Sequence, residues 1–157
     1  MKSNIILSGV GGQGILTIAA VLDTAAVSEN LFVKQSEVHG MSQRGGAVES
    51  HVRISDKKIY SDLIPQGEAD IILSVEPMES LRYLPYLKKE GWIITDSEPF
   101  LNISNYPDKE ILFEKINAIP NHLIINATEE AKKIGNSKVA NIILLGAAAS
   151  LIGLPEE

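Results

Sequence analysis

Along this chain, short unbroken apolar runs alternate with segments whose apolar positions recur three and four residues apart. Residues 4–8, "NIILS", form the first such run and predict a buried strand. In residues 15–28, Ile15, Ile18, Ala19, Leu22, Ala25 and Ala26 share one broad face, which predicts a helix. "LFVKQS" at 31–36 predicts a second strand, so the chain opens as strand, glycine turn, helix, strand, in the manner of a doubly wound sheet. The pattern then changes. Residues 37–46, "EVHGMSQRGG", have no period. In 47–55, Val48, Ser50, Val52 and Ile54 alternate with Glu49, His51 and Arg53, which predicts an antiparallel strand with one solvated or interface-facing side. "SDKK" then turns the chain into 59–61, predicting a hairpin over about 47–61. The earlier rhythm resumes with a strand at 70–75. Pro77 starts a helix carrying Met78, Leu81, Leu84 and Leu87, with an interruption at Pro85 and a stop at Gly91. A strand at 92–97, a loop at 98–110, a short helix at 110–119 and a strand at 122–127 follow. Thr128 is the expected cap of a helix through Lys133, and Ser137 that of a last helix from Lys138 to Leu151. The predicted class is α/β: one Rossmann-like, mostly parallel open sheet with an inserted antiparallel hairpin.

Composition narrows the functions open to such a fold. The chain has 157 residues, 45% of them apolar, enough for one domain with its own core. A formal charge of −6 argues against nucleic acid or an anionic membrane as partner. With no cysteine, the chain makes no disulfide and supplies no thiolate to zinc or to an iron–sulfur cluster. His39, His51 and His122 lack metal-ligand spacing. The apolar stretch at 142–154 is too short to span a bilayer, and a cytoplasmic location is expected.

Two segments carry candidate chemistry. "GVGGQG" at 9–14 places Gly9, Gly11 and Gly14 in the G-x-G-x-x-G spacing behind a strand. One reading is a phosphate cradle of bare N–H groups at a helix start, with the Gln13 amide reaching across; the other is a tight turn with close packing. The usual dinucleotide acid would be Glu37, which instead opens the aperiodic loop. That loop sets His39, Ser42, Gln43 and Arg44 among glycines with little to bury, and Arg44 offers a fork of donors suited to carboxylate or phosphate. Glu76 ends a strand where open α/β sheets place ligands, although a carboxylate there equally suits a helix N-terminus.

"GVGGQGI" at 9–15, "SEVHGMSQRGG" at 36–46, "GEAD" at 67–70, "EPMESLRYLPYLKKEG" at 76–91 and "NIILLGA" at 141–147 occur in this order. Together they resemble the gamma-type subunits of 2-oxoacid:ferredoxin oxidoreductases, most of all the small subunit of the indolepyruvate enzymes. The resemblance implies a single gamma-type domain over 1–157, with a C-terminal truncation left open. It implies an accessory subunit joined to a larger one that carries thiamine diphosphate, Mg²⁺ and 4Fe–4S clusters, uses coenzyme A and reduces ferredoxin. No cofactor is expected on this chain alone, and a homodimer of the isolated chain stays open. Gly9, Gly11, Gly12, Gln13, Gly14, His39, Ser42, Gln43, Arg44, Gly45, Gly46 and Glu76 are the expected cofactor- or partner-facing residues, with no catalytic residue assigned. The rival readings are a stand-alone NAD(P)-binding oxidoreductase and a non-enzymatic nucleotide- or acyl-CoA-binding regulator.

Overall fold

A computed structural model of the chain describes residues 1–39 and 45–155. Six strands form one sheet in the order β2-β3-β1-β4-β5-β6, with β1 at Lys2–Val10, β2 at Phe32–His39, β3 at Ala47–Ser55, β4 at Ala69–Ser74, β5 at Leu87–Asp96 and β6 at His122–Ile125. β1, β4, β5 and β6 run parallel to one another, while β3 is antiparallel to both β1 and β2. The α/β class, the mostly parallel sheet and its antiparallel insertion therefore stand.

Side-chain alternation along β1 builds a core on each face of the sheet. Ile5 and Leu7 point to one side, against Ile15, Ile18 and Leu22 of α1 (Ile15–Ser28) and Leu144, Ala148 and Ile152 of α5 (Ala140–Ile152), with Ala127 of α4 (Ala127–Ile134). Ile6 points to the other side, against Ile72, Ile93, Ile64, Tyr83 and Ile116, beneath α2 (Pro77–Arg82) and α3 (Lys109–Asn117). Burial on both faces explains why β1 and β4 read as unbroken apolar runs.

Several local expectations are corrected. The antiparallel pair nearest the insertion is β2 with β3, and residues 59–61 do not form a strand. Arg53 instead holds that segment as a loop, donating from Nη1 to the carbonyls of Ser61 (2.9 Å) and Leu63 (3.0 Å). β2 does not neighbour β1, because β3 lies between them. His51 is only 2% exposed, since the loop 56–68 covers the side of β3 expected to be solvated. Gly91 does not stop a helix. It lies inside β5 beside a register shift, where a Cβ would collide with Leu87 and come within 3.0 Å of the Ala69 carbonyl. The N-cap of α4 is Asn126, with Thr128 one step inside the helix, and a 3-10 turn at Ser137–Val139, capped by Asn136, precedes α5. Among the described residues no helix is long and apolar enough to cross a membrane.

Candidate functional site at the glycine turn

β1 delivers the chain to the glycine turn at the carboxyl edge of the parallel strands. The Gly11 amide donates to the Gly46 carbonyl at 2.8 Å, which brings the described end of the 37–46 segment against the turn. Gly45, at φ 79°, accepts at its carbonyl from the Asn102 amide at 2.6 Å. Gly9, Gly11, Gly12, Gln13, Gly14, Gly45 and Gly46 are thus assembled at one edge. His39 ends β2 at the same edge, its backbone opposite Val48. Ser42, Gln43 and Arg44, and the His39 side chain, lie outside the described residues.

Within the turn the glycines serve different ends. A Cβ on Gly9 would strike Val75 and approach Ile15 and Gln13, so this position lets the turn pack onto β4 and α1. Gly12, at φ 95°, has open space where a Cβ would stand. Gly14, at φ 81°, starts α1 and has Asn141 packed against it; Asn141 donates to the Gly14 carbonyl at 3.1 Å. The Gln13 amide does not reach across the site. Its oxygen accepts from the Val10 N–H at 2.7 Å and its nitrogen faces the Val75 carbonyl at 3.4 Å, so the side chain closes the turn on itself.

A cavity of about 500 Å³ opens beside Gly12, between the starts of α1, α4 and α5. Gly12, Gly14, Thr128, Ser137, Lys138 and Asn141 line it. α1 begins with no side-chain cap and no acid in its first turn; the Thr17 N–H turns back to the Gly14 carbonyl at 3.2 Å, which leaves those of Ile15 and Leu16 without intrahelical acceptors. Lys138 adds a cation. Uncapped N–H groups, a helix dipole and an ammonium group suit an anion, and phosphate in particular. Lys138, Ser137 and Thr128 were not legible as site residues, because only the fold brings them to a turn more than a hundred positions away in the chain.

Glu76 stands at the same edge but does not face this cavity. It is 0% exposed and caps α2, accepting from the Glu79 N–H at 2.8 Å and the Phe100 N–H at 3.4 Å, and from the Tyr106 hydroxyl. Burial raises its pKa, although these donors oppose the shift. Desolvation and then the neighbouring carboxylate raise that of the Tyr106 phenol. Glu76 therefore fastens the 97–108 loop over the sheet edge. Asp96, at the end of β5, does the same for α4, accepting from the Thr128 hydroxyl.

Comparison with known proteins agrees with this architecture. Residues 4–157 match the pyruvate ferredoxin/flavodoxin oxidoreductase family. The indolepyruvate oxidoreductase subunit IorB of Pyrococcus horikoshii is 41% identical over 162 residues, which cover 97% of this chain and 79% of that protein. The keto/oxoacid ferredoxin oxidoreductase gamma subunit of Geobacter sulfurreducens superposes with a TM-score of 0.69 at 28% identity, over 98% of this chain and 80% of that one. The 2-oxoglutarate:ferredoxin oxidoreductase of Magnetococcus marinus, solved with 2-oxoglutarate, coenzyme A and succinyl-CoA, shares the fold at 20% identity and a TM-score of 0.75, over 99% of this chain and 25% of that one. Matched along nearly its whole length, the chain belongs to the pyruvate ferredoxin/flavodoxin oxidoreductase family.

Proposed function

We propose that this chain is the small, accessory subunit of a 2-oxoacid:ferredoxin oxidoreductase acting on indolepyruvate or a related aryl pyruvate. The observation that carries this reading is a near full-length likeness to such subunits in a chain that has no cysteine. Clusters of the 4Fe–4S type need thiolates, and the G-D-G…N motif that holds thiamine diphosphate and Mg²⁺ is absent from the sequence. Among the described residues no three histidines, aspartates or glutamates converge as metal ligands. The residues of this chain therefore do not fit those groups, and a larger partner subunit is the proposed carrier.

Coenzyme A is different, because the cavity beside Gly12 has the donors that a phosphate group needs. In the holoenzyme, coenzyme A supplies the thiol that accepts the acyl group. The proposed part of this chain is to hold phosphate with the Gly12 and first-turn N–H groups of α1 and the Lys138 ammonium. The reactive end is thereby oriented toward the partner, and no covalent step falls on this chain.

Co-expression with the larger subunit tests both levels. Viologen reduction dependent on a 2-oxoacid and coenzyme A is expected only when both chains are present; turnover by the larger subunit alone overturns the accessory reading. In the complex, Lys138→Ala is expected to raise KM for coenzyme A about fivefold or more, with KM for the 2-oxoacid unchanged. An unchanged KM for coenzyme A removes the phosphate assignment and leaves the subunit assignment standing.

A further inference from the structure

The opposite end of the sheet carries a second, differently charged concavity. It has a volume of about 410 Å³ and lies where β1 begins, where β3 ends and under residues 57–61. Lys2, Arg53, Lys57 and Lys58 line it and no carboxylate does, in a chain of formal charge −6. Of these four cations Lys2 is already paired with Glu68, and the nearby Asp56 and Asp70 are paired as well. Asp56 binds the N-terminal ammonium at 2.6 Å, Glu68 lies 3.4 Å from Lys2, and Asp70 pairs with Lys88.

Arg53 makes this more than a set of mobile lysines. Its Nε donates to Asn4 Oδ1 at 3.1 Å, and its Nη1 donates to the Ser61 and Leu63 carbonyls. Asn4 is 1% exposed and is itself fixed, its side-chain amide donating to the Glu68 carbonyl at 3.0 Å. The guanidinium is thus held in one place by neutral acceptors, with no carboxylate among the described residues bonded to it. Lys58 sits 5.4 Å from the ring of Tyr60, whose side chain projects into solvent, 83% exposed. Arg53, Lys57 and Lys58 gather like charge in one concavity with no carboxylate in its lining, and an anion placed among them relieves their repulsion. A concavity of several hundred cubic ångströms is of ligand size.

We propose that this basic concavity binds a polyphosphate-bearing small molecule, with Arg53 as the fixed donor, Lys57 and Lys58 closing on the phosphates, and Tyr60 as an aromatic wall. The site lies roughly 25 Å along β1 from the glycine turn and is independent of the cavity there.

The test is an amide NMR titration of the full chain with tripolyphosphate at low salt, read residue by residue. Saturable shifts are expected across 53–61, and Lys57→Ala/Lys58→Ala, two exposed positions, should weaken that response about tenfold or more with an unchanged Tm. Shifts at the glycine turn form a separate response and leave this expectation untouched. Absence of saturation at 53–61 by about 1 mM probe, or equal binding by the double variant, overturns the proposal. Tighter binding of an oligoglutamate peptide than of tripolyphosphate also overturns it, in favour of an acidic protein segment. ATP binding more tightly than tripolyphosphate, and falling back to its level in Tyr60→Ala, supports the site and identifies a nucleotide.

Discussion

Single positions at the sheet edge separate what packs from what faces open space. Gly9→Ala forces a methyl group against Val75, Ile15 and Gln13 and should cost about 1–3 kcal/mol. Gly12→Ala meets no atom and bears only the strain of a positive φ, about 1 kcal/mol. Urea unfolding of the two variants checks that order, and a larger loss at Gly12 would contradict it. Glu76 makes a pH-dependent case. Its pKa is raised in the folded chain, so its contribution to stability is fully present below the ordinary glutamate value and is lost as pH rises through the raised one. A glutamine amide carries no charge at any of these pH values, so Glu76→Gln should remove this dependence. The stability of the parent chain relative to the variant should therefore fall from about pH 4 to about pH 7 in urea unfolding. A gap that stays constant or widens with pH would show that the buried carboxylate is not held as described.

Elements differ in how far local chemistry decides them. The β1–glycine turn–α1 unit was legible, α1 to the residue and β1 to within two residues at each end, because an apolar run, a glycine cluster and a helical face each point the same way. The β4 strand and the proline start of α2 were equally readable. What pairs with β3 was not, because alternation shows that a strand has two unlike faces but not which neighbour or loop covers them. His51 carries the consequence. Its Nδ1 accepts from the Ile64 N–H at 3.0 Å, its ring meets Tyr86 edge-on at 5.4 Å, and its Nε2 lies 3.5 Å from Glu49. Burial lowers its pKa, Glu49 and Asp62 opposing that shift and Arg53 reinforcing it. The stability it lends is thus present above the ordinary histidine value and lost as pH falls through the lowered one. A proton on Nδ1 then faces the Ile64 N–H donor to donor and frees the 56–68 loop. Hydrogen exchange at Ile64 should lose protection between about pH 7 and about pH 4 in the parent chain, but not in His51→Phe. Flat protection in the parent would sink this latch. At the carboxyl edge of the sheet, Tyr106→Phe removes the hydroxyl bonded to Glu76 and should cost about 1–3 kcal/mol, with faster proteolysis within 97–108.

At the scale of the whole molecule, strand order decides between two functions that the G-x-G-x-x-G spacing leaves open. In a dinucleotide-binding domain the second strand neighbours the first, which sets its terminal acid beside the glycine turn to take the ribose. Here β3 is inserted between β1 and β2. Strands lie about 4.8 Å apart, so the backbone of Glu37 stands two spacings from β1, roughly 10 Å, instead of one. The turn is altered as well. Gln13 folds back onto Val10 and Val75, and Gly46 occupies the Gly11 amide, so part of the N–H array that would meet a pyrophosphate is already engaged. What stays open lies on the Gly12 side, toward Lys138 and the starts of α4 and α5, away from β2. A cavity so placed can take phosphate without a ribose-reading acid, which suits coenzyme A better than a nicotinamide dinucleotide. Fluorescence titration of the purified chain with NADH and NADPH should accordingly show no saturation below about 1 mM. Micromolar binding of either, lost in Glu37→Ala, would return the chain to the dinucleotide-binding proteins and remove the physical basis for treating the inserted strand as the feature that sets this domain apart.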